Sequence, residues 1–177
     1  ELIDRGAIDP GEDKIELLHN TLCFYGVASV DAWGEVWEEP AVAARRSACF
    51  ETRPGPASAW IRLGELQGME RDCAPFDKAA FRKALPKIRA LTRLEPERFI
   101  EQLIALCASC GVALALVPEM KKVPWSGATK WLNPAKVMIL LSLRGKGEDK
   151  FWFSFFHEAG HVMHDSKKDL LINDGTH

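Results

Sequence analysis

Apolar side chains recur every three or four residues through the first half of the chain, and this spacing predicts amphipathic helices. The first predicted helix covers 13–25, and Ser29 is a typical N-cap for a second helix. The Ala-rich stretch 40–50 favours a further helix. The Pro-Gly-Pro sequence at 54–56 predicts a break, because proline lacks the backbone N–H that helices and strand ladders use.

Helical spacing continues to about residue 110. One helix is predicted over 57–70 and another over 77–93, where an aspartate is the N-cap and Pro86 is expected to kink or split the helix. Pro96 occupies a typical first helical position and predicts the next helix. Gly111 stands where the C-terminal cap of that helix would be.

Three short apolar runs follow, and they predict strands at 112–117, 127–132 and 136–143. The connections are short, which favours antiparallel pairing, at least between the second and third strands. One last helix is predicted over 148–165. The order of elements predicts an α+β fold, in which an N-terminal helical segment precedes a small antiparallel-type sheet packed on the last helix.

Composition limits the class of protein. Hydrophobic residues make up 47% of the chain and charged residues 27%, with a net charge of −2, which is typical of a globular protein and excludes disorder. No apolar run reaches the roughly 18 residues of a membrane helix and no signal peptide is visible, so we expect no membrane partner. Five cysteines are an odd number for a disulfide scaffold, which favours a reducing cytoplasm.

The last predicted helix carries the H-E-x-x-H sequence His-Glu-Ala-Gly-His at 157–161. Residues four apart share a helix face, so the imidazoles of His157 and His161 can bind one metal ion. Glu158 lies beside that face, where its carboxylate can act as a general base. Zn²⁺ is the expected ion, because it accepts neutral imidazole nitrogen. Gly160 is costly inside a helix, which indicates that another backbone or a substrate approaches closely there.

A catalytic zinc site needs a third protein ligand. Asp165 and His164 share the helix face but lie too far along it, unless the helix ends before His164. Asp174 and His177 can reach the ion only if the chain folds back. We expect the third ligand to lie beyond His177, and we therefore expect the chain by itself to be inactive and to bind metal weakly.

The residues around the motif resemble the ImmA/IrrE family of bacterial metallo-endopeptidases. The similarity rests on FWFSFFHEAGH at 151–161, on the predicted strand VMILLSL at 137–143, and on SGATKWL at 126–132. It extends over about 96–168. The segment 1–93 is similar to the helical connector of family members that are fused to a helix-turn-helix domain of the repressor or HigA-like antitoxin type.

The resemblance implies a zincin-like fold around the H-E-x-x-H helix, with zinc ligands at His157 and His161 and a catalytic Glu158. It implies a helical connector over 1–95 and a metallopeptidase domain over 96–177 that ends before the family's acidic third ligand. The implied function is a zinc-dependent endopeptidase domain of a cytoplasmic bacterial regulatory protein with a repressor-type protein substrate. DNA would be bound only through a domain outside this chain.

Two other classes of function stay open. The main alternative is a non-catalytic regulatory or sensor domain of a DNA-binding transcriptional regulator or antitoxin. A structural metal site is less favoured, because such sites are closed by four protein ligands and have no use for a glutamate between two histidines.

The remaining cysteines and basic residues favour structural roles. Cys107 and Cys110 form a C-x-x-C at a helix end, which favours buried core cysteines over a redox pair. The three isolated cysteines are also expected to be buried: Cys23, Cys49 and Cys73. A basic stretch favours a solvated helix face over a nucleic-acid site, because Pro86 interrupts it and no aromatic residue is interleaved. Its members are Arg82, Lys83, Lys87, Arg89 and Arg93.

Overall fold

The computed structural model describes residues 1–38, 53–142, 147–164 and 171–173. These residues form a mixed α+β structure with one small sheet, as predicted. The chain divides into two compact units. The first comprises Glu1–Leu63 with Glu119–Pro124, and the second comprises Gly64–Pro118 with Trp125–His177. No helix among the described residues is long and apolar enough to cross a membrane.

Two capped helices open the first unit, both as predicted. Helix α1 (Lys14–Tyr25) begins after Asp13, whose carboxylate accepts hydrogen bonds from the first turn of the helix. Helix α2 (Val30–Trp33) is capped by Ser29 and continues as a π-helical turn, Gly34–Glu38. The predicted helix over 40–50 lies outside the described residues.

Polar contacts to backbone carbonyls hold the aromatic residues of the first unit in place. The buried Tyr25 hydroxyl lies 3.1 Å from the Ser58 hydroxyl. The Trp37 indole N–H donates to the carbonyl of Tyr25 at 3.2 Å. The guanidinium of Arg62 donates to the Phe24 carbonyl at 2.7 Å, and it also lies over the ring of Trp37. The polar groups named here are thus paired, as their burial requires.

The predicted break at 54–56 is wrong, because these residues form the first turn of helix α3 (Pro54–Glu70). Its first and third residues are prolines, and the first turn of a helix tolerates them because its N–H groups have no intrahelical acceptor. The second unit begins within this helix, at Gly64. A Cβ at Gly64 would lie 2.6 Å from a methyl group of Leu140, so only glycine allows the helix to approach the sheet this closely.

Helices α4 (Lys78–Leu91) and α5 (Pro96–Ala108) begin where they are predicted, after Asp77 and with Pro96 as the first residue. Of the kink or split predicted at Pro86, the split does not occur, because α4 is continuous through this residue, and the kink stays a prediction. Pro86 is exposed, so water can solvate the carbonyl that it leaves unbonded, while neighbouring buried residues hold the helix to the core. Ser109 is the C-cap of α5, and Gly111 instead adopts φ +80° in the turn that follows.

The sheet contains the three predicted strands and a fourth in the order β1-β3-β2-β4. Strands β1 (Val112–Leu116), β2 (Gly127–Asn133) and β3 (Lys136–Leu141) match the predictions within two residues. The short strand β4 (Leu171–Asn173) pairs antiparallel with β2 and is not predicted.

The antiparallel-type sheet predicted from the sequence is wrong in one respect. Strands β2 and β3 pair antiparallel as expected, but β1 pairs with β3 in parallel. Val137–Leu141 in β3 is completely buried, so this strand takes the centre of the sheet between β1 and β2. Strand β1 pairs with the other edge of β3 and runs in the same direction as β3. The sheet is therefore mixed.

Helices α4 and α5 and the last helix, α6 (Glu148–His164), share one hydrophobic core with the sheet. Its fully buried members include residues of each element: Phe81, Ile88, Leu103, Leu114, Ile139 and Phe155. The compact unit that carries the H-E-x-x-H helix thus begins at Gly64 and includes α4. The division into a connector over 1–95 and a peptidase domain over 96–177 concerns function, and it stays a prediction.

Candidate metal centre

The two histidines of the motif converge on one face of α6. The Nε2 atoms of His157 and His161 lie 3.1 Å apart, and their ring centroids are separated by 4.7 Å. Both side chains are half-buried. Trp152 and Phe155 anchor the helix from the core, as the aromatic sequence before the motif suggests. The rigid attachment of α6 therefore fixes the direction in which both imidazoles point.

Glu158 lies inside the protein, against strand β2. Its side chain is fully buried, and its Oε2 accepts a 2.6 Å hydrogen bond from the hydroxyl of Thr129, which is 2% exposed. The same hydroxyl lies 3.3 Å from the backbone carbonyl of Glu158. Oε1 is buried and has no hydrogen-bond partner among the described residues. One carboxylate oxygen is thus held by a hydrogen bond, and the other makes none with the described residues.

Gly127 makes room for this carboxylate. A Cβ at Gly127 would lie 2.7 Å from Oε1 of Glu158, which is closer than real Cβ atoms come to other heavy atoms. Gly127 and Thr129 are two residues apart on β2 and therefore face the same side of the sheet. Sequence analysis did not identify either residue as part of the site. No signal in the sequence could have identified them, because nothing in it pairs this strand with α6.

Burial raises the pKa of Glu158 to about 8, and the hydrogen bond from Thr129 partly opposes this rise. The cause is the loss of hydration, which penalises the charged carboxylate. A neighbouring metal cation would favour the ionised form and reverse the shift. The electrostatics of Glu158 are therefore coupled to metal binding.

The three side chains form a group that could hold a metal ion. One ligand atom from each of His157, Glu158 and His161 lies within 4.8 Å of the other two. Two imidazole nitrogens and a carboxylate oxygen suit a borderline divalent cation. In the part of the chain that the structure describes, this is the one such group of three or more.

No further ligand joins this group within residues 1–38, 53–142, 147–164 and 171–173. His164 is exposed at the end of α6 and does not belong to the group. Asp165, Asp174 and His177 lie outside the described residues. The expected third ligand beyond His177 stays a prediction.

The outer face of α6 is open near the histidines. No described atom lies within 4 Å of the position of a Cβ at Gly160, so the expected close approach of another protein backbone is not found. The alternative, approach of a substrate, stays a prediction. Phe153 is 49% exposed and its ring lies 6.3 Å from that of His157. An apolar side chain thus borders the open face.

The cysteines are distant from this chemistry. Cys107 and Cys110 are buried core residues with free thiols, as predicted, and burial raises the pKa of Cys107 far above its ordinary value. Cys73 is half-buried. The expectation of burial is wrong for Cys23, because the exposed side of α1 carries it, and Cys49 lies outside the described residues.

Comparison with protein-family models, with curated proteins and with solved structures finds no match for this chain.

Proposed function

We propose that this chain is the zinc-dependent endopeptidase domain of a cytoplasmic bacterial regulatory protein. The observation that carries the proposal is the convergence of His157, His161 and a buried Glu158, one oxygen of which has no hydrogen-bond partner in the described part of the chain. The resemblance to the ImmA/IrrE family adds the class of enzyme and a zincin-like arrangement of α6 on the sheet. The proposed substrate is a repressor-type protein, and DNA would be bound through a domain outside this chain.

The donor set fits zinc. His157 and His161 would hold the ion through their Nε2 atoms, which already converge. A carboxylate with both oxygens hydrogen-bonded at position 158 would argue against a reactive site. Among the described residues, Oε1 of Glu158 has no such bond. When bound, Zn²⁺ polarises the scissile carbonyl and lowers the pKa of the attacking water.

Glu158 performs the proton transfers in this proposal. Oε1 accepts the proton of the attacking water and later delivers it to the nitrogen of the leaving amine. Thr129 holds Oε2, so the carboxylate cannot rotate away and Oε1 remains the reactive oxygen. Gly127 prevents a steric clash that would displace this oxygen. The strand β2 therefore orients the base that α6 supplies.

A cleavage assay with Glu158→Gln tests the proposal. The full-length protein, loaded with zinc, is incubated with candidate repressor proteins, and products are identified by mass spectrometry. The substitution is nearly isosteric and removes the proton acceptor, so we expect turnover to fall by about 10²–10⁴-fold. Glu101→Gln is the matched control, because Glu101 is an exposed residue of α5, and it should leave cleavage unchanged.

Undiminished cleavage by Glu158→Gln would exclude this mechanism. Absence of cleavage by the zinc-loaded wild type, together with normal DNA binding by the full-length protein, would favour the alternative of a non-catalytic regulatory or sensor domain.

A further inference from the structure

Every charged side chain on the exposed face of α4 is basic. Lys78, Arg82, Lys83, Lys87 and Arg89 are exposed, and Arg93 follows just beyond the helix. No acidic residue occurs between positions 78 and 93, although the chain as a whole has a net charge of −2. None of these six residues forms an ion pair with another described residue. The basic face of α4, defined by these residues, is thus uncompensated.

The basic residues lie in two rows along the helix. At about 100° per residue, Lys78, Arg82 and Arg89 fall within about 40° of one another. Lys83 and Lys87 form a second row on the opposite flank of the exposed face. The first row extends over about 16 Å along the axis, at 1.5 Å per residue. A single helix therefore presents two parallel lines of positive charge.

Small side chains occupy the strip of the exposed face between the two rows, which we call the crest. Ala79, Pro86 and Ala90 are exposed and fall between the rows in helical projection. They have no hydrogen-bonding side chains and add little height to the helix. The buried side of α4, with Phe81 and Ile88, is meanwhile fixed in the core. The crest can therefore approach a surface closely while the flanking cations extend past it on either side.

This shape fits a groove between two lines of negative charge. A helix with its side chains is about 10–12 Å across, and the major groove of B-form DNA is about 12 Å wide, with a phosphate backbone along each wall. The deep, narrow major groove of A-form RNA does not admit such a helix. Since the crest offers no group that reads base edges, contacts would be confined to phosphates.

We propose that the basic face of α4 binds duplex DNA in the major groove, with one row of basic residues on each phosphate backbone and without sequence preference. This contact departs from the expectation that DNA is bound only outside the chain. It also departs from the expectation that the basic stretch is a solvated helix face, because that expectation assumed an interruption at Pro86 and α4 is continuous through this residue. It involves no residue of the metal centre, so it is independent of the proposed peptidase function.

The test is binding of the chain to fluorescent DNA duplexes of unrelated sequence, measured by anisotropy from 50 to 200 mM salt. Five phosphate contacts predict a slope of about −4.5 in a plot of log K against log salt, which is a loss of about 500-fold over this range. Two duplexes of different sequence should bind equally. Absence of binding at 50 mM salt, or a strong preference for one sequence, would overturn the proposal.

A charge-neutralised variant locates the contact. Arg82→Gln, Lys83→Gln, Lys87→Gln and Arg89→Gln together should abolish binding, and glutamine keeps the helix intact. The matched control neutralises four exposed basic residues elsewhere, Lys14, Arg53, Lys121 and Lys150, and should retain binding despite the same net charge. Equal loss in both variants would mean non-specific attraction and would overturn the assignment to α4.

Two further measurements address the groove geometry. Ala90→Gln leaves every charge in place but raises the crest, so it should weaken binding to DNA, whereas unchanged affinity would contradict insertion into a groove. Duplex RNA should bind more weakly than DNA. Polyglutamate does not present two phosphate lines, so it should compete poorly. Competition by either polymer as effective as that by DNA would exclude the proposed DNA geometry.

Discussion

Replacement of the buried carboxyl of Glu158 by a neutral amide should stabilise the metal-free protein at neutral pH, by an amount that depends on pH. The carboxyl of Glu158 has a pKa of about 8 in the folded protein, against an ordinary value of 4.5, because burial disfavours its charged form. Glu158→Gln replaces it with a neutral side chain of nearly the same shape. Above pH 4.5 the unfolded wild type is stabilised as this carboxyl ionises, whereas the folded wild type is not, and the variant lacks this difference.

The size and the sign of the change in unfolding free energy with pH follow from the two pKa values. Between pH 4.5 and about 8 the folded wild type keeps a proton that the unfolded chain has released, so its stability falls as pH rises. The slope is about 1.4 kcal/mol per pH unit, and the whole window amounts to about 5 kcal/mol.

The assay is urea unfolding of both proteins at pH 5, 6, 7 and 8, followed by tryptophan fluorescence in the presence of a chelator. The stability of Glu158→Gln minus that of the wild type should increase steadily over this range. Glu101→Gln, at an exposed position, should show no such trend. If the stabilities of wild type and Glu158→Gln change in parallel from pH 5 to pH 8, Glu158 is not held neutral by burial and the reasoning is wrong.

Two further predictions concern the residues of β2 and α6 that surround Glu158. Thr129→Val removes the hydrogen bond to the buried carboxyl and should lower the free energy of unfolding by about 1–3 kcal/mol in chemical denaturation. Thr129→Ser keeps the hydroxyl and should retain most of that stability. Equal stability of the two variants would contradict a role for this bond. Gly127→Ala places a methyl group 2.7 Å from Oε1 and should destabilise the protein by about 1–3 kcal/mol in the same assay. Gly160→Ala, which meets open space inside a helix, should instead stabilise it by about 1 kcal/mol, and a reversal of these two signs would refute the described packing.

Local patterns in the sequence were enough to predict most helices and three strands. Asp77 and Pro96 mark helix starts through the hydrogen bonds and backbone angles that they favour, and these act within one turn. The prolines of 54–56 were misinterpreted because the same residues that end a helix are also tolerated in its first turn. A proline pair marks either the end of a preceding helix or the start of a following one, and the local sequence does not distinguish the two.

Features that depend on distant residues could not be predicted in the same way. The pairing of β1 with β3 in place of β2 requires β3 to lie at the centre of the sheet, where helices bury both of its faces, and this burial depends on residues distant in the sequence. The strand β4 has only three residues, too few for a periodic pattern. In the site, the histidine pair is visible in the sequence because its members are four residues apart. Thr129 acts on a glutamate 29 residues away, so only the fold reveals it.

Zinc content tests the central claim most directly. The full-length protein and its His157→Ala, His161→Ala and His164→Ala variants are purified after exposure to zinc and analysed by elemental mass spectrometry. His157 and His161 supply the converging nitrogens, whereas His164 is exposed and lies outside the group. We therefore expect about one zinc ion per chain in the wild type and in His164→Ala. The His157→Ala and His161→Ala variants should lose zinc. Equal zinc in all four proteins, or none in the wild type, would contradict the assignment of this site.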